Sequence, residues 1–151
     1  MENLAVEERV ALALEMHDKT FNCAQCVALA VADLVEVDRE TLFKVMEGFG
    51  AGMGGNTQTC GALSAVAALV GLANSSGSDP YTSKKDTYAH VEELVDDFHL
   101  EHGATSCEEL LDENLATRKQ TCNTYIKTGV ELAFEAVTRI NNAKGKAEER
   151  A

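Results

Sequence analysis

Apolar residues recur at helical spacing along most of this chain. Val6, Val10, Ala13, Leu14 and His17 fall near one stripe, which predicts a first helix over Val6 to His17. Asn22 is a good N-cap for a second helix running from Cys23 to about Leu34. A shorter helix follows, from Asp38 or Glu40 to Met46, with Leu42, Phe43 and Met46 facing inward. The glycine-rich stretch Gly48 to Gly55 breaks regular structure. It leads into a run from Cys60 to Leu72 that is apolar nearly all round, the mark of a buried central helix. Asn74 to Pro80 reads as a loop. Beyond it a long amphipathic helix carries Tyr88, Val91, Leu94, Val95 and Phe98 inward and stops near Gly103. Ser106 with Glu109 has the pattern of a capping box, opening a short helix over Cys107 to Leu111. A last helix spans roughly Cys122 to Ile140, with Ile126, Val130, Phe134 and Val137 on its inner face. The charged end, Lys144 to Ala151, is expected to fray. No repeat and no strand pattern emerges. The expectation is one all-α domain over residues 1–151, a compact bundle of about six to seven helices around a buried Ala/Leu/Val-rich helix.

Composition supports that reading. Hydrophobic residues make up 45% of the 151 residues but aromatics only 5%, with no Trp, so the core must be built from Ala, Leu, Val and Met. One proline leaves long stretches free to be helical. The formal charge of −12 argues against nucleic acid and anionic lipid as partners, because both demand a basic surface. No apolar run approaches the ~20 residues that span a bilayer, and the first residues are acidic and amphipathic rather than signal-like. A cytoplasmic protein is expected, in a compartment that keeps thiols reduced.

Five cysteines in such a chain therefore call for an explanation. Cys23 directly follows the Asn22 cap; Cys60 follows Asn56, Thr57 and Thr59; Cys107 follows Ser106; Cys122 follows Thr121. Four of the five thus stand at expected helix starts. There, unpaired amides and the positive end of the helix dipole favour thiolate over thiol, which is what nucleophiles and ligands need. Cys23-Ala24-Gln25-Cys26 is also a CxxC, but no βαβ pattern surrounds it, so a thioredoxin-like origin is excluded. Cys26, one turn into the helix between apolar neighbours, reads equally well as a core residue.

Other candidates are weaker. Gly50 to Gly55 formally matches GxGxxG, but it follows a helix rather than a strand, so it marks no dinucleotide site. Its glycines, Gly54 and Gly55 among them, could instead let backbone approach the sulfur of Cys60. His99 and His102 could add metal ligands, although a solvated pair at a helix C-terminus explains them as well.

Taken together, Phe21-Asn22-Cys23-Ala24-Gln25, the glycine-rich loop, Cys60-Gly61-Ala62-Leu63-Ser64, Phe98 with Gly103, Cys107-Glu108-Glu109-Leu110-Leu111 and Cys122 form a familiar order. They resemble the bacterial and archaeal family of redox-active proteins named for a CGAxxG motif and four cysteines, from about Val10 to Ala136. The resemblance implies that Cys23, Cys60, Cys107 and Cys122 are the site cysteines, with Asn22, Gln25, Gly54, Gly55 and Gly61 supporting them. Cys26 is then an extra. Ala65 stands where the family motif ends in glycine. Three readings remain: a thiol–disulfide redox protein, a metal or iron–sulfur module using the same four cysteines, and a helical interaction module whose cysteines are merely core. The resemblance identifies no redox partner or small-molecule substrate, and it leaves open both a bound cofactor and a homodimer.

Overall fold

The computed structural model describes residues 3–150 of the chain, and of these the Arg150 side chain is left aside. Seven α-helices follow one another: α1 (Val6–Asp18), α2 (Cys23–Val31), α3 (Arg39–Glu47), α4 (Gly61–Asn74), α5 (Lys84–His102), α6 (Cys107–Leu110) and α7 (Arg118–Arg150). Among the described residues there is no strand, and no helix is long and apolar enough to cross a membrane. The all-α bundle expected from the apolar periodicity is the fold found.

Two helices share the interior. α4 buries Gly61, Ala62, Leu63, Ala65, Val66, Leu69, Val70 and Ala73, as its nearly all-apolar sequence requires. α2 is covered still more completely, with every residue from Ala24 to Val31 buried. α2 packs on α1, α3, α4 and α7, while α4 packs on α2, α5 and α7. Small side chains permit this closeness. At Gly129 of α7 an added Cβ would lie 2.9 Å from Val27 Cγ2 and 3.2 Å from the Ala62 carbonyl oxygen. At that level the backbone of α7 lies against the backbone of α4 and the Val27 side chain of α2.

Several boundaries differ from the pattern-based expectation. α2 ends at Val31, and a single 3₁₀ turn (Ala32–Leu34) completes the predicted span. Tyr88, expected inward on α5, is 65% exposed; only Leu94 and Phe98 of that helix are buried. α7 begins at Arg118, not Cys122, and continues to Arg150, so the segment 144–150 expected to fray is helical; Ala151 lies outside the described residues. Arg9 sits in the middle of the buried stripe of α1 with 1% exposure. Its guanidinium donates two hydrogen bonds to the Asp33 carboxylate (2.6 and 3.0 Å) and one to the Ala30 carbonyl (3.0 Å), and it lies 5.2 Å over the Phe134 ring. A charge can be buried there because every direction it faces offers an acceptor or a π face.

Candidate functional site

The site lies where the N-terminal ends of α2, α4 and α6 meet the first turns of α7. Asn22 begins α2 through a reciprocal cap. Its Oδ1 accepts from the Gln25 amide (2.8 Å), and the Asn22 amide donates to Gln25 Oε1 (3.0 Å). Two further bonds fasten this turn to α3, from Asn22 Nδ2 to the Glu47 carbonyl (3.0 Å) and from Gln25 Nε2 to the Phe43 carbonyl (3.2 Å). Cys23, the first residue of α2, is therefore held by a rigid support and remains half-exposed.

Cys60 and Cys107 are brought together by a short backbone pairing. Thr59 and Ser106 form an antiparallel bridge, flanked by hydrogen bonds from Cys60 N to the Thr105 carbonyl (2.8 Å) and from Cys107 N to the Gln58 carbonyl (2.6 Å). Cys60 occupies the N-cap position of α4, and Cys107 is the first residue of α6. The expected Ser106–Glu109 capping box does not form: Ser106 Oγ turns across the bridge toward the Thr57 carbonyl (3.4 Å). Cys122 lies more than a turn inside α7, because that helix starts earlier than its apolar stripe suggests. It is not a helix-start cysteine.

Glycine permits the close packing at Gly61, one of the expected supporting residues, and at Gly52, which the sequence did not suggest. A Cβ on Gly61 would lie 2.5 Å from Cys23 Sγ and 2.9 Å from the Phe49 carbonyl oxygen, so Cys23 sits in space that only glycine leaves open. A Cβ on Gly52, where φ is +55°, would lie 2.4 Å from the Cβ of Cys107. Gly54 would meet nothing within 4 Å and Gly55 only Thr57 Oγ1 at 3.8 Å, so neither brings backbone against a cysteine. Gly52 belongs to a left-handed turn that also includes Ala51 (φ 52°) and Met53 (φ 65°), a conformation that disfavours side chains with a Cβ.

Cys23, Cys60, Cys107 and Cys122 line a single cavity of about 390 Å³. Cys26 does not. It is fully buried in the core, with its thiol 3.5 Å from the Phe21 carbonyl oxygen. All five are free thiols. The cavity lining includes apolar residues (Leu110, Leu111, Leu115) and polar ones (His17, Asn56, Arg118, Lys119 and Tyr125). His17 Nδ1 is 2.6 Å from Asn123 Oδ1, and the Tyr125 hydroxyl donates to the Leu110 carbonyl (2.8 Å). His99 and His102 are elsewhere: His99 is exposed, and His102 Nε2 is 2.8 Å from Thr128 Oγ1. Among the described residues, no three His, Cys, Asp or Glu side chains are gathered as ligands for one metal ion.

The electrostatics reverse one expectation. Helix N-termini were expected to hold the thiols low, yet burial pushes Cys60 up to about 12 and Cys122 up to about 11, and raises Cys107 as well. The amides of Ala62 and Leu63, at the start of α4, pull Cys60 down and are outweighed. After burial, the next cause for all three is the negative charge of Cys23. Arg118, which lines the same cavity, acts in the opposite sense on Cys107 and Cys122.

A family model described as "Putative redox-active protein (C_GCAxxG_C_C)" matches residues 21–136, most of the chain. The chain belongs to this family. No curated protein and no solved structure matches it. The matched region contains all four cavity cysteines and the Asn22–Gln25 cap, whereas His17 lies before its first residue. Ala65, where the family motif ends in glycine, is fully buried in α4 and does not line the cavity.

Of the cavity residues that the sequence did not suggest, Tyr125 had a readable signal, standing three after Cys122 on one face of the expected helix. Arg118, four before Cys122, joins that face only because α7 starts earlier than its apolar stripe suggests. His17 and Asn56 carry no comparable mark.

Proposed function

We propose that this protein carries out thiol–disulfide exchange, with Cys23 attacking a disulfide and Cys60 resolving the product. One observation carries the reading: four cysteines from four separate elements line one cavity, and the fifth lies outside it. The Cys23 thiolate displaces one sulfur of R–S–S–R, forming Cys23–S–S–R and releasing RS⁻, which takes up the proton of Cys60. The Cys60 thiolate then attacks Cys23 Sγ. The bond to R breaks, a second RS⁻ leaves and is protonated by solvent, and a Cys23–Cys60 disulfide remains. The two cysteines lose two electrons, and the substrate disulfide gains them.

The order follows from exposure and charge. Cys23 is half-exposed and first in its helix, whereas Cys60 is buried. The charge of Cys23 is one reason the Cys60 thiol is raised. Once Cys23 is tied up in the mixed disulfide that charge is gone, so attack by Cys60 becomes easier at the moment it is needed. Cys107 and Cys122, which line the same cavity, are the second pair in this proposal. The metal or iron–sulfur reading uses the same four thiolates but has less support, because among the described residues no three ligands are gathered around one point. Stepwise oxidation of the native protein tests the proposal. Free thiols should fall from five to three to one while the helical circular dichroism stays constant. A count that stays at five until the helices melt would sink it.

A further inference from the structure

A chain with 25 acidic and 13 basic residues would be expected to line most of its clefts with carboxylates. The cysteine cavity is different. Among the described residues its ionisable lining, beyond the thiols and Tyr125, is His17, Arg118 and Lys119, with no Asp or Glu. Lys119 is already paired with Asp18 at the rim. Arg118 is half-buried, and its Nε donates to the Asp112 backbone carbonyl (2.8 Å), which anchors the side chain. The Asp112 carboxylate is a competing charge, and it accepts hydrogen bonds from the hydroxyls of Thr117 (2.6 Å) and Thr121 (3.0 Å) and from the Asn114 amide (2.9 Å). Leu110, Leu111 and Leu115 supply apolar surface in the same cavity.

We infer that the disulfide consumed here is a small molecule with an anionic group, a carboxylate held by Arg118, and an apolar body lying against Leu110, Leu111 and Leu115. This rests on the exchange reading and names its substrate class. The cavity volume of about 390 Å³ lies within the ~300–1,000 Å³ of small-molecule sites, and a half-buried cation there attracts anions more strongly than a fully exposed one. A planar guanidinium fork suits a carboxylate in two-point contact.

The test compares two aromatic disulfides of similar size, the dianionic dithiobis(nitrobenzoate) and the uncharged dithiodipyridine, on the intact protein at low and high salt. The readout is the ratio of their second-order rate constants, which cancels any common change in thiol reactivity. Arg118→Gln should lower that ratio about tenfold at low salt, the low end for a charge-assisted hydrogen bond. Arg118→Lys, which keeps the charge, should retain most of it, and added salt should shrink the wild-type ratio toward that of Arg118→Gln. An unchanged ratio in Arg118→Gln overturns the anion assignment while leaving exchange intact. If neither probe reacts with the native protein, exchange itself fails and the inference falls with it.

Discussion

Gly61 offers the sharpest perturbation of the proposed site. In Gly61→Ala the new Cβ would stand 2.5 Å from Cys23 Sγ and 2.9 Å from the Phe49 carbonyl oxygen, where carbon contacts normally begin at about 3.5 Å. The sulfur must therefore retreat by about 1 Å, or the backbone at Phe49 must give way, and backbone yields poorly in a packed interior. Overpacking of this kind costs about 1–3 kcal/mol, which outweighs the better helix propensity of alanine at the start of α4. For a chain of this length that corresponds to a fall in Tm of roughly 2–4 °C per kcal/mol. Gly71, in the same helix, is the matched control, because a Cβ there meets nothing within 4 Å. Gly71→Ala should stabilise by up to about 1 kcal/mol, so two identical substitutions in one helix should shift Tm in opposite directions. Displacing the sulfur by about 1 Å should also slow the Cys23–Cys60 closure, up to about a hundredfold. Thermal melts and quenched disulfide formation read both effects. If Gly61→Ala is as stable as wild type and closes its disulfide at the wild-type rate, Cys23 does not depend on the space left by Gly61.

Cys26, pushed up to about 12 by burial and by the charge of Cys23, favours folding only while it stays protonated. Above about pH 9 the unfolded chain releases this proton first, so its contribution is full below that pH and is lost between about pH 9 and 12. Cys26→Ala should therefore show a shallower fall in urea midpoint between about pH 9 and 11 than wild type, with alkylation of the four cavity thiols unchanged; parallel curves would contradict the buried-thiol account. Asp33→Ala should cost about 3 kcal/mol, because it strands the buried Arg9 guanidinium. In urea denaturation the double variant Arg9→Met/Asp33→Ala should lose less than Asp33→Ala alone, and equal losses would mean that the pairing is not what matters.

How much of this was readable from the chain depends on the kind of signal. Helices α1 to α4 follow from apolar spacing and from caps such as Asn22, because local periodicity and capping are properties of a short segment. The early start of α7 at Arg118 was not readable, since the residues 118–121 are polar and are fastened by the Asp112 loop rather than by an apolar stripe. Burial of Arg9 was equally hidden, since it depends on Asp33 and Phe134, far along the chain. In the site, the choice of four cysteines could be made from motif order alone. Their electrostatics could not, because the benefit of a helix N-terminus is visible in sequence whereas the opposing cost of desolvation requires the packed structure. Among the glycines, Gly61 was marked by the motif, whereas Gly52 matters because of what stands opposite it in space, and Gly54 and Gly55 face nothing close.

The central claim, that four cysteines act as one exchange site and the fifth stands apart, is tested most directly by a disulfide map. The native protein is oxidised with a small excess of dithiol disulfide, remaining thiols are blocked by alkylation, and the peptides are identified by mass. The account predicts Cys23–Cys60 forming first, Cys107–Cys122 following, and Cys26 recovered as the alkylated thiol throughout. A map in which Cys26 is bridged to Cys23, or in which the four cavity cysteines remain free while the protein is folded, would contradict it.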